Sequence, residues 1–523
     1  MATTPYQSTE TGCSFFWSTP ERVFSVEEFS SDERLMVEMA EQFSRKEILP
    51  IQDRLDAKED GLMVSLLRKA GELGFCGPDT PAEYGGLGLG KNISARILEF
   101  LSLNASFSVT VGVTSGIGQL GLTLFGSEAQ KQKYLPNLAS GQWIGAYALS
   151  EPNSGSDALS LVTRAEEKGD KWVLNGTKMW ISNAMWADLF VVMAKVNGDQ
   201  VTAFLVERGF PGVSVSREEH KLGLHGSSTA RLVLENAEVP KENVLHVIGK
   251  GHHVAFNALN IGRYKLAAMS LGPAREAIYQ CTGYVQERKQ FGQAIGEFGL
   301  IRKKLADMAC WYFGAESALY RTGANIDSAF AQHGSSVDGN KRAAEEFSVE
   351  CGAVKVLASE AEWRIADEAL QCYGGYGYTE EFPLARIYRD ARISRIYEGT
   401  NEINRTFIAG RLKHKAEGRA CCADSFVSEL AGRALAVEAG GQERVGAQSD
   451  LLMLAYAEQS ARLRAKQAGR ITQAAYERFR DWANVQAASA FQRATGEAVS
   501  LPAPSSGHTD VLAEALMEKR APV

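Results

Sequence analysis

Cysteine pairs, long apolar runs and concentrated positive charge are what this 523-residue chain lacks, and each absence removes a class of function. Its eight cysteines (13, 76, 281, 310, 351, 372, 421 and 422) form no C-x-x-C and no ligand spacing. That pattern excludes a zinc module, a dithiol redox site and a disulfide framework, and it fits a reducing compartment; no metal is expected. No stretch of about 18 apolar residues occurs, so neither a membrane span nor membrane contact is expected. Lys and Arg number 56 against 63 Asp and Glu, a net charge of −7, and no basic stripe interrupts the balance. A nucleic-acid partner needs a basic face and is excluded. The N-terminus has no basic-then-apolar signal pattern and no Arg before Arg22, so the expected location is cytoplasmic. The glycine-rich run from Tyr84 to Gly90 lacks the G-x-G-x-x-G spacing and a preceding strand. It reads as a turn before a helix starting near Asn92, not as a dinucleotide fingerprint.

What is present is an ordinary globular composition, 45% hydrophobic and 23% charged, over a length that suggests two to four domains. Residues 1–25 are Ser/Thr-rich and read as a poorly ordered arm, with Phe15, Phe16 and Trp17 docking on the body. Residues 26–143 read as helical. A capping-box pattern at Ser30-Ser31-Asp32-Glu33 opens the first helix, Leu35, Met39 and Phe43 follow at helical spacing, and Pro50 ends or kinks it. Between 144 and 247 the period changes to that of strands. Lys171 to Trp180 reads as a hairpin turning at Asn175-Gly176, and Asp188 to Val206 as a second hairpin turning at Asn197-Gly198-Asp199. Thr229 to Leu234 is a further strand. Residues 248–413 read as a helical bundle, and 414–523 as a helical extension. In the extension Ile471, Ala475, Phe479 and Trp482 form a stripe that must be buried, and a linker at 501–507 precedes a last helix from Asp510. The expected class is α+β: an N-terminal helical domain, a central β-barrel or sandwich, a C-terminal four-helix bundle and the extension.

The chemistry is carried by the stretch from Arg395 to Glu402, in which Glu398 stands between Tyr397 and Gly399. Alone this is a turn with a charged residue. Four other segments accompany it in order: Tyr147 to Asp157, Gly176 to Asn183, Arg288 to Gly292, and Gln371 to Gly377. Together they resemble the acyl-CoA dehydrogenase family, from about Phe29 to Leu412. Glu297 to Ala306, Phe204 to Phe210 and the long tail make the chain most similar to the very-long-chain branch.

That resemblance implies FAD as cofactor, acyl-CoA as substrate, and an electron-transfer flavoprotein as acceptor. It places Glu398 as the base that removes the α-proton, with its own backbone N–H as one donor to the thioester carbonyl. Tyr147, Leu149, Ser150, Trp180, Ile181 and Ser182 are implied around the isoalloxazine, and Ser156, Asn260, Arg263, Tyr397 and Gly399 near the acyl-CoA, with Ser156 also on the cofactor side. Arg288, Gln290 and Phe291 are implied to reach the FAD of a neighbouring subunit, Gln371, Gly374 and Gly375 to form the complementary loop at its phosphates, and Phe298 to bind the cofactor as well. Thr400 and Glu402 complete the adenine side, relatives often carrying Gln at position 402. A cofactor shared between chains requires at least a dimer. The extension is expected to cover the face that short-chain relatives use as tetramers, so a homodimer is expected with a tetramer as the alternative. A weakly basic carboxylate facing a weakly acidic α-carbon needs both burial and donors to the developing enolate, one such donor contributing ~2.7–4 kcal/mol in comparable sites. The long tail and the small residues from Ser108 to Gly116 suit a long acyl chain and a role in fatty-acid β-oxidation. An acyl-CoA oxidase and a scaffold protein on the same fold are the competing functions.

Overall fold

The computed structural model describes residues 6–438, 440–519 and 521–522. The chain divides into two compact units. One comprises Met1–Ser31, Leu266–Ser328 and Glu346–Val523, the other Asp32–Lys265 with Ala329–Glu345.

The second unit begins with helices. In Ser31–Phe43 the buried positions are Val37, Ala40 and Phe43, whereas Leu35 and Met39 are exposed. The stripe expected at 35, 39 and 43 is therefore rotated, with only Phe43 inside. Pro50 does not stop the chain. A π-turn at Ser44–Ile48 and a 3-10 turn at Leu49–Ile51 absorb its missing N–H and ring clash before the short helix Gln52–Asp56. The stretch Ala105–Phe125 is long and apolar enough to cross a membrane, but it is 89% buried and its helix breaks between Thr114 and Ile117. It is a core element of the fold.

The same unit holds a mixed eight-stranded sheet: β1 (Gly145–Ala148), β2 (Arg164–Lys168), β3 (Lys171–Ser182), β4 (Leu189–Val196), β5 (Gln200–Glu207), β6 (Val213–Val215), β7 (Thr229–Pro240) and β8 (Val244–Leu245). The order is β6-β7-β3-β2-β4-β5-β8, with β1 parallel to β4. This path is open, so the expected barrel is corrected to an open mixed sheet. β4 is apolar almost throughout, as a strand covered on both faces requires.

The hairpin expected at Asn175-Gly176 is not formed. β3 runs straight through, paired with β2 on one side and β7 on the other, and Asn175-Gly176 falls at a bulge. The actual turn is Gly169-Asp170, with Lys168 opposite Lys171. A Cβ at Gly176 would lie 2.3 Å from Thr163 Oγ1, so glycine is required there for close approach. Two ladders outweigh the local turn preference. The second hairpin is as expected, Val196 pairing with Gln200 across Asn197-Gly198-Asp199.

The first unit is helical. Its long helices include Gly299–His333, Ser348–Tyr373, Asn401–Lys415, Gln442–Gln467 and Arg470–Thr495. Phe479 of the extension seats on Gly314, where a Cβ would be 2.2 Å from its ring. The N-terminal arm, expected to be poorly ordered, is ordered from residue 6 onward; residues 1–5 lie outside the described residues. Cys13, Phe15 and Phe16 are buried, the Gly12 amide donates to Glu346 at 2.7 Å, and the Cys422 amide donates to the Phe16 carbonyl at 2.9 Å. Glu10 pairs with the fully buried Arg321, which also donates to Ser460 at 3.0 Å. A guanidinium buried without a carboxylate is strongly destabilising, and this pairing is what orders the arm.

Candidate active site

The implied site residues fall into two sets, one in each unit. In the helical unit Glu398 occupies a tight turn between the 3-10 turn Arg392–Arg395 and the helix Asn401–Lys415. Its φ is 57° and that of Gly399 is 81°. Positive φ at a residue with a Cβ costs roughly 1–2 kcal/mol and persists only where the surroundings hold it. Here they do. Lys355 Nζ donates to the Gly399 carbonyl at 2.9 Å and to Asn401 Oδ1 at 2.7 Å, and Asn404 Nδ2 donates to the same carbonyl at 2.9 Å. Asn401 Nδ2 in turn donates to Ser359 Oγ at 3.1 Å and Glu360 Oε1 at 3.0 Å. Thr400 caps the helix, its hydroxyl accepting from the Ile403 amide at 3.2 Å. Glu398 is half-buried, with Oε2 shielded from solvent. Tyr397 is also half-buried, and burial together with the nearby Glu362 carboxyl pushes its phenol pKa up.

Glu402 lies in the first turn of the same helix. Backbone N–H bonding there and the Thr400 hydroxyl outweigh burial and hold its carboxyl below the usual range. With Arg395 and Arg405 it lines a cavity of about 500 Å³. The opposite wall comes from the extension, including Trp482, whose ring lies 5.1 Å from the Arg364 guanidinium.

A third group in this unit gathers at the end of the helix Gly251–Glu287. Arg288 through Gly292 form a small hairpin, Lys289-Gln290 pairing with Gln293-Ala294. All five are exposed, Phe291 to 95% with φ 52°, and Phe291 meets Phe298 edge-on at 6.1 Å. The Arg288 guanidinium stands 5.6 Å from the Tyr376 ring, next to exposed Gly374 and Gly375. The Gly374 amide bonds back to the carbonyl of Gln371, which is also exposed.

In the β unit, Trp180 sits at an irregularity of β3 with φ 62° and remains 58% exposed. The Met179 amide donates to the Ser150 carbonyl at 2.9 Å, which brings Tyr147, Leu149 and Ser150 alongside Trp180. Lys178 completes this junction. Fully buried, it donates to the Leu149 carbonyl at 3.1 Å and to Glu151 Oε1 at 2.7 Å. Burial pulls its ammonium pKa down to about 8, and Glu151 offsets part of that fall. The Ile181 side chain belongs to the sheet's apolar core, whereas Ser182 is half-buried. Ser156 is exposed on the following loop. Asn260 is buried and accepts from Arg263 Nη1 at 3.1 Å one helical turn on.

Sequence reading missed Lys355, Asn404 and Lys178. A single Lys or Asn inside a helix or strand reads as a solvated residue, and only the fold shows where its head is buried. Trp180, Phe291 and Glu398 are three of eleven non-glycine residues with positive φ among the described residues, so the strain accompanies these positions without singling them out. No run of residue types announces it.

Three family models match the chain: the acyl-CoA dehydrogenase N-terminal domain over residues 30–142, the middle domain over 146–237 and the C-terminal domain over 249–413. A probable acyl-CoA dehydrogenase of Bacillus subtilis is 46% identical over 76% of this chain and 68% of its own length. The very long-chain specific acyl-CoA dehydrogenase of Macaca fascicularis is 40% identical over 68% of this chain and 54% of its own length. Among solved structures, an acyl-CoA dehydrogenase complexed with FAD from Bacillus anthracis superposes with a TM-score of 0.91 at 37% identity, covering 98% of this chain and all of that one. The chain belongs to the acyl-CoA dehydrogenase family, enzymes that use FAD as an oxidoreductase cofactor. The residues present fit that group. An exposed indole face at Trp180 suits a flat ring, and an exposed arginine beside two glycines suits a pyrophosphate.

Proposed function

We propose that this protein oxidises long-chain acyl-CoA thioesters to trans-2-enoyl-CoA in fatty-acid β-oxidation, with Glu398 as the base. The observation that carries the reading is the conformation of Glu398, a half-buried carboxylate held at φ 57° on a turn clamped by a buried lysine. Such backbone strain belongs to a group whose direction matters. A carboxylate in this role needs donors aimed at the enolate oxygen as charge develops, and the backbone of the Glu398 turn is assigned as one of them. Bound FAD supplies the acceptor for the β-hydride. Tyr147, Leu149, Ser150, Trp180 and Ser182 hold its ring, and Thr400 and Glu402 its adenine side. Ser156, Asn260 and Arg263 orient the CoA portion of the substrate, Tyr397 and Gly399 its thioester.

The exposure of Arg288, Gln290, Phe291, Gln371, Gly374 and Gly375 supports their serving the FAD of a second copy, and hence a homodimer. Similarity to a very long-chain specific enzyme, together with the extension, supports the long-chain substrate. Electrons then pass to an electron-transfer flavoprotein.

Anaerobic titration of the holoenzyme with acyl-CoAs of increasing length tests this. Loss of the oxidised-flavin band is expected with long chains, and no bleaching with any acyl-CoA refutes the activity. Hydrogen peroxide formed stoichiometrically under air marks an oxidase instead.

A further inference from the structure

The hairpin that carries Arg288 and Phe291 has little of its own to hold it. It pairs Lys289-Gln290 with Gln293-Ala294, and a two-stranded ribbon that short is marginal in water. Its turn residues Phe291 and Gly292 have φ of 52° and 87°, as a type I′ turn requires, and only the glycine adopts that backbone without cost. Arg288 to Gln293 are all exposed, so burial of their side chains does not fix the hairpin's direction. The hold must come through the two stems, where Val285 and Gly296 are buried. The helix His508–Lys519, in the same unit, packs at that joint. On one stem Gln286 Nε2 donates to the Met517 carbonyl at 2.6 Å. On the other, a Cβ at Gly296 would lie 3.1 Å from the Val285 carbonyl oxygen and 3.2 Å from Met517 Sδ, so Met517 closes over the point where the stems meet. At the start of the helix Gly299–His333, Arg302 Nε pairs with Asp510 Oδ1 at 2.7 Å and Arg302 Nη2 with Glu514 Oε1 at 2.9 Å. The helix His508–Lys519 is in turn fixed to the extension. Its Leu512 and Leu516 are fully buried, and Asp481, on the helix Arg470–Thr495, accepts from the Ser505 amide at 2.7 Å.

We propose that the helix His508–Lys519 is a brace for this hairpin: it clamps both stems and so presents Arg288 and Phe291, already formed, to the FAD of a second copy. The inference rests on the reading that the hairpin serves that FAD. Met517, Arg302, Asp510 and Glu514 are positioning residues, acting through the hairpin. Their contribution is preorganisation. A hairpin released from the brace has to be ordered each time the cofactor is held, which weakens FAD binding and leaves the chemistry of the bound cofactor unchanged. Such a loss shows mainly as faster release.

The test is the rate of FAD release from the full-length holoenzyme, read by flavin fluorescence on dilution, beside kcat measured with FAD in excess. Asp510→Arg together with Glu514→Arg sets two cations against Arg302. Release is expected to be about tenfold faster, with kcat in excess FAD within about twofold of wild type. Adding Arg302→Glu restores both pairs with the signs exchanged and is expected to return release to the wild-type rate. Met517→Ala, which empties the space over Gly296 without adding charge, is expected to speed release in the same direction. Amide hydrogen exchange across residues 288–294 is expected to rise in both. Release within about twofold of wild type in both variants overturns the proposal. So does faster release that Arg302→Glu does not reverse, or a kcat in excess FAD that falls in parallel with retention. Arg288→Gln keeps the two readings apart. If it holds FAD as the wild type does, the assignment of the hairpin to FAD fails first; if it loses FAD while both helix variants keep it, only the brace fails.

Discussion

Replacing Lys355 by methionine removes the cation that holds the turn around Glu398 while keeping the length of the side chain. Two charge-assisted hydrogen bonds are lost, to the Gly399 carbonyl and to Asn401 Oδ1. Such bonds contribute ~1.5–3 kcal/mol each. The loss is partial, because Asn404 Nδ2 still serves the Gly399 carbonyl and Ser359 Oγ still lies 3.4 Å from Asn401 Oδ1. A destabilisation of about 2–3 kcal/mol is expected in urea unfolding, on the scale of one such bond rather than two. The larger effect is on chemistry. Freed from the clamp, residue 398 relaxes from its positive φ, and a displacement of about 1 Å at a reacting group lowers the rate by roughly 10²-fold. Stopped-flow flavin reduction under anaerobic, single-turnover conditions reads this directly, with FAD content as the control. A rate within about twofold of wild type, in a variant that retains its FAD, would refute the idea that Lys355 sets the direction of the base.

Two further outcomes follow from buried charges. Lys178→Met leaves Glu151 without its ammonium partner, and breaking one side of a buried pair costs about 3–5 kcal/mol. A lowered melting temperature and loss of FAD on gel filtration are expected, because the same lysine fixes Leu149 beside Trp180. Glu350 is held up at about 7 by burial, against an ordinary value of 4.5. The native state keeps a proton that the unfolded chain releases, so this group's contribution is complete below pH 4.5 and is lost as pH rises through 7. Glu350→Gln is expected to flatten the stability-versus-pH curve across that window, measured by urea midpoints.

The order of helical and β segments was legible in the sequence because it rests on periodicity, and the family was legible because the stretches around Trp180, Arg288 and Glu398 keep their residue types and order. What failed did so where long-range contacts overruled local preference. Asn175-Gly176 carries the same Asn-Gly hairpin signal as Asn197-Gly198, yet its glycine serves the approach of Thr163 and the strand continues. Leu35 and Met39 have the right spacing but the wrong face, a rotation set by the elements around them. The N-terminal arm looked unstructured because its composition is polar; Glu10 has meaning only once Arg321 is known to be buried. Lys355 stands in mid-helix with nothing beside it in the sequence to announce its burial, which only the fold shows.

The central claim, that Glu398 removes the α-proton, is tested most directly by hydrogen–deuterium exchange at the α-carbon of an acyl-CoA whose β position cannot be oxidised. The holoenzyme in D2O is predicted to exchange the α-proton, and Glu398→Gln, with FAD and ligand still bound, to leave it in place. Exchange at the wild-type rate in Glu398→Gln would contradict the account.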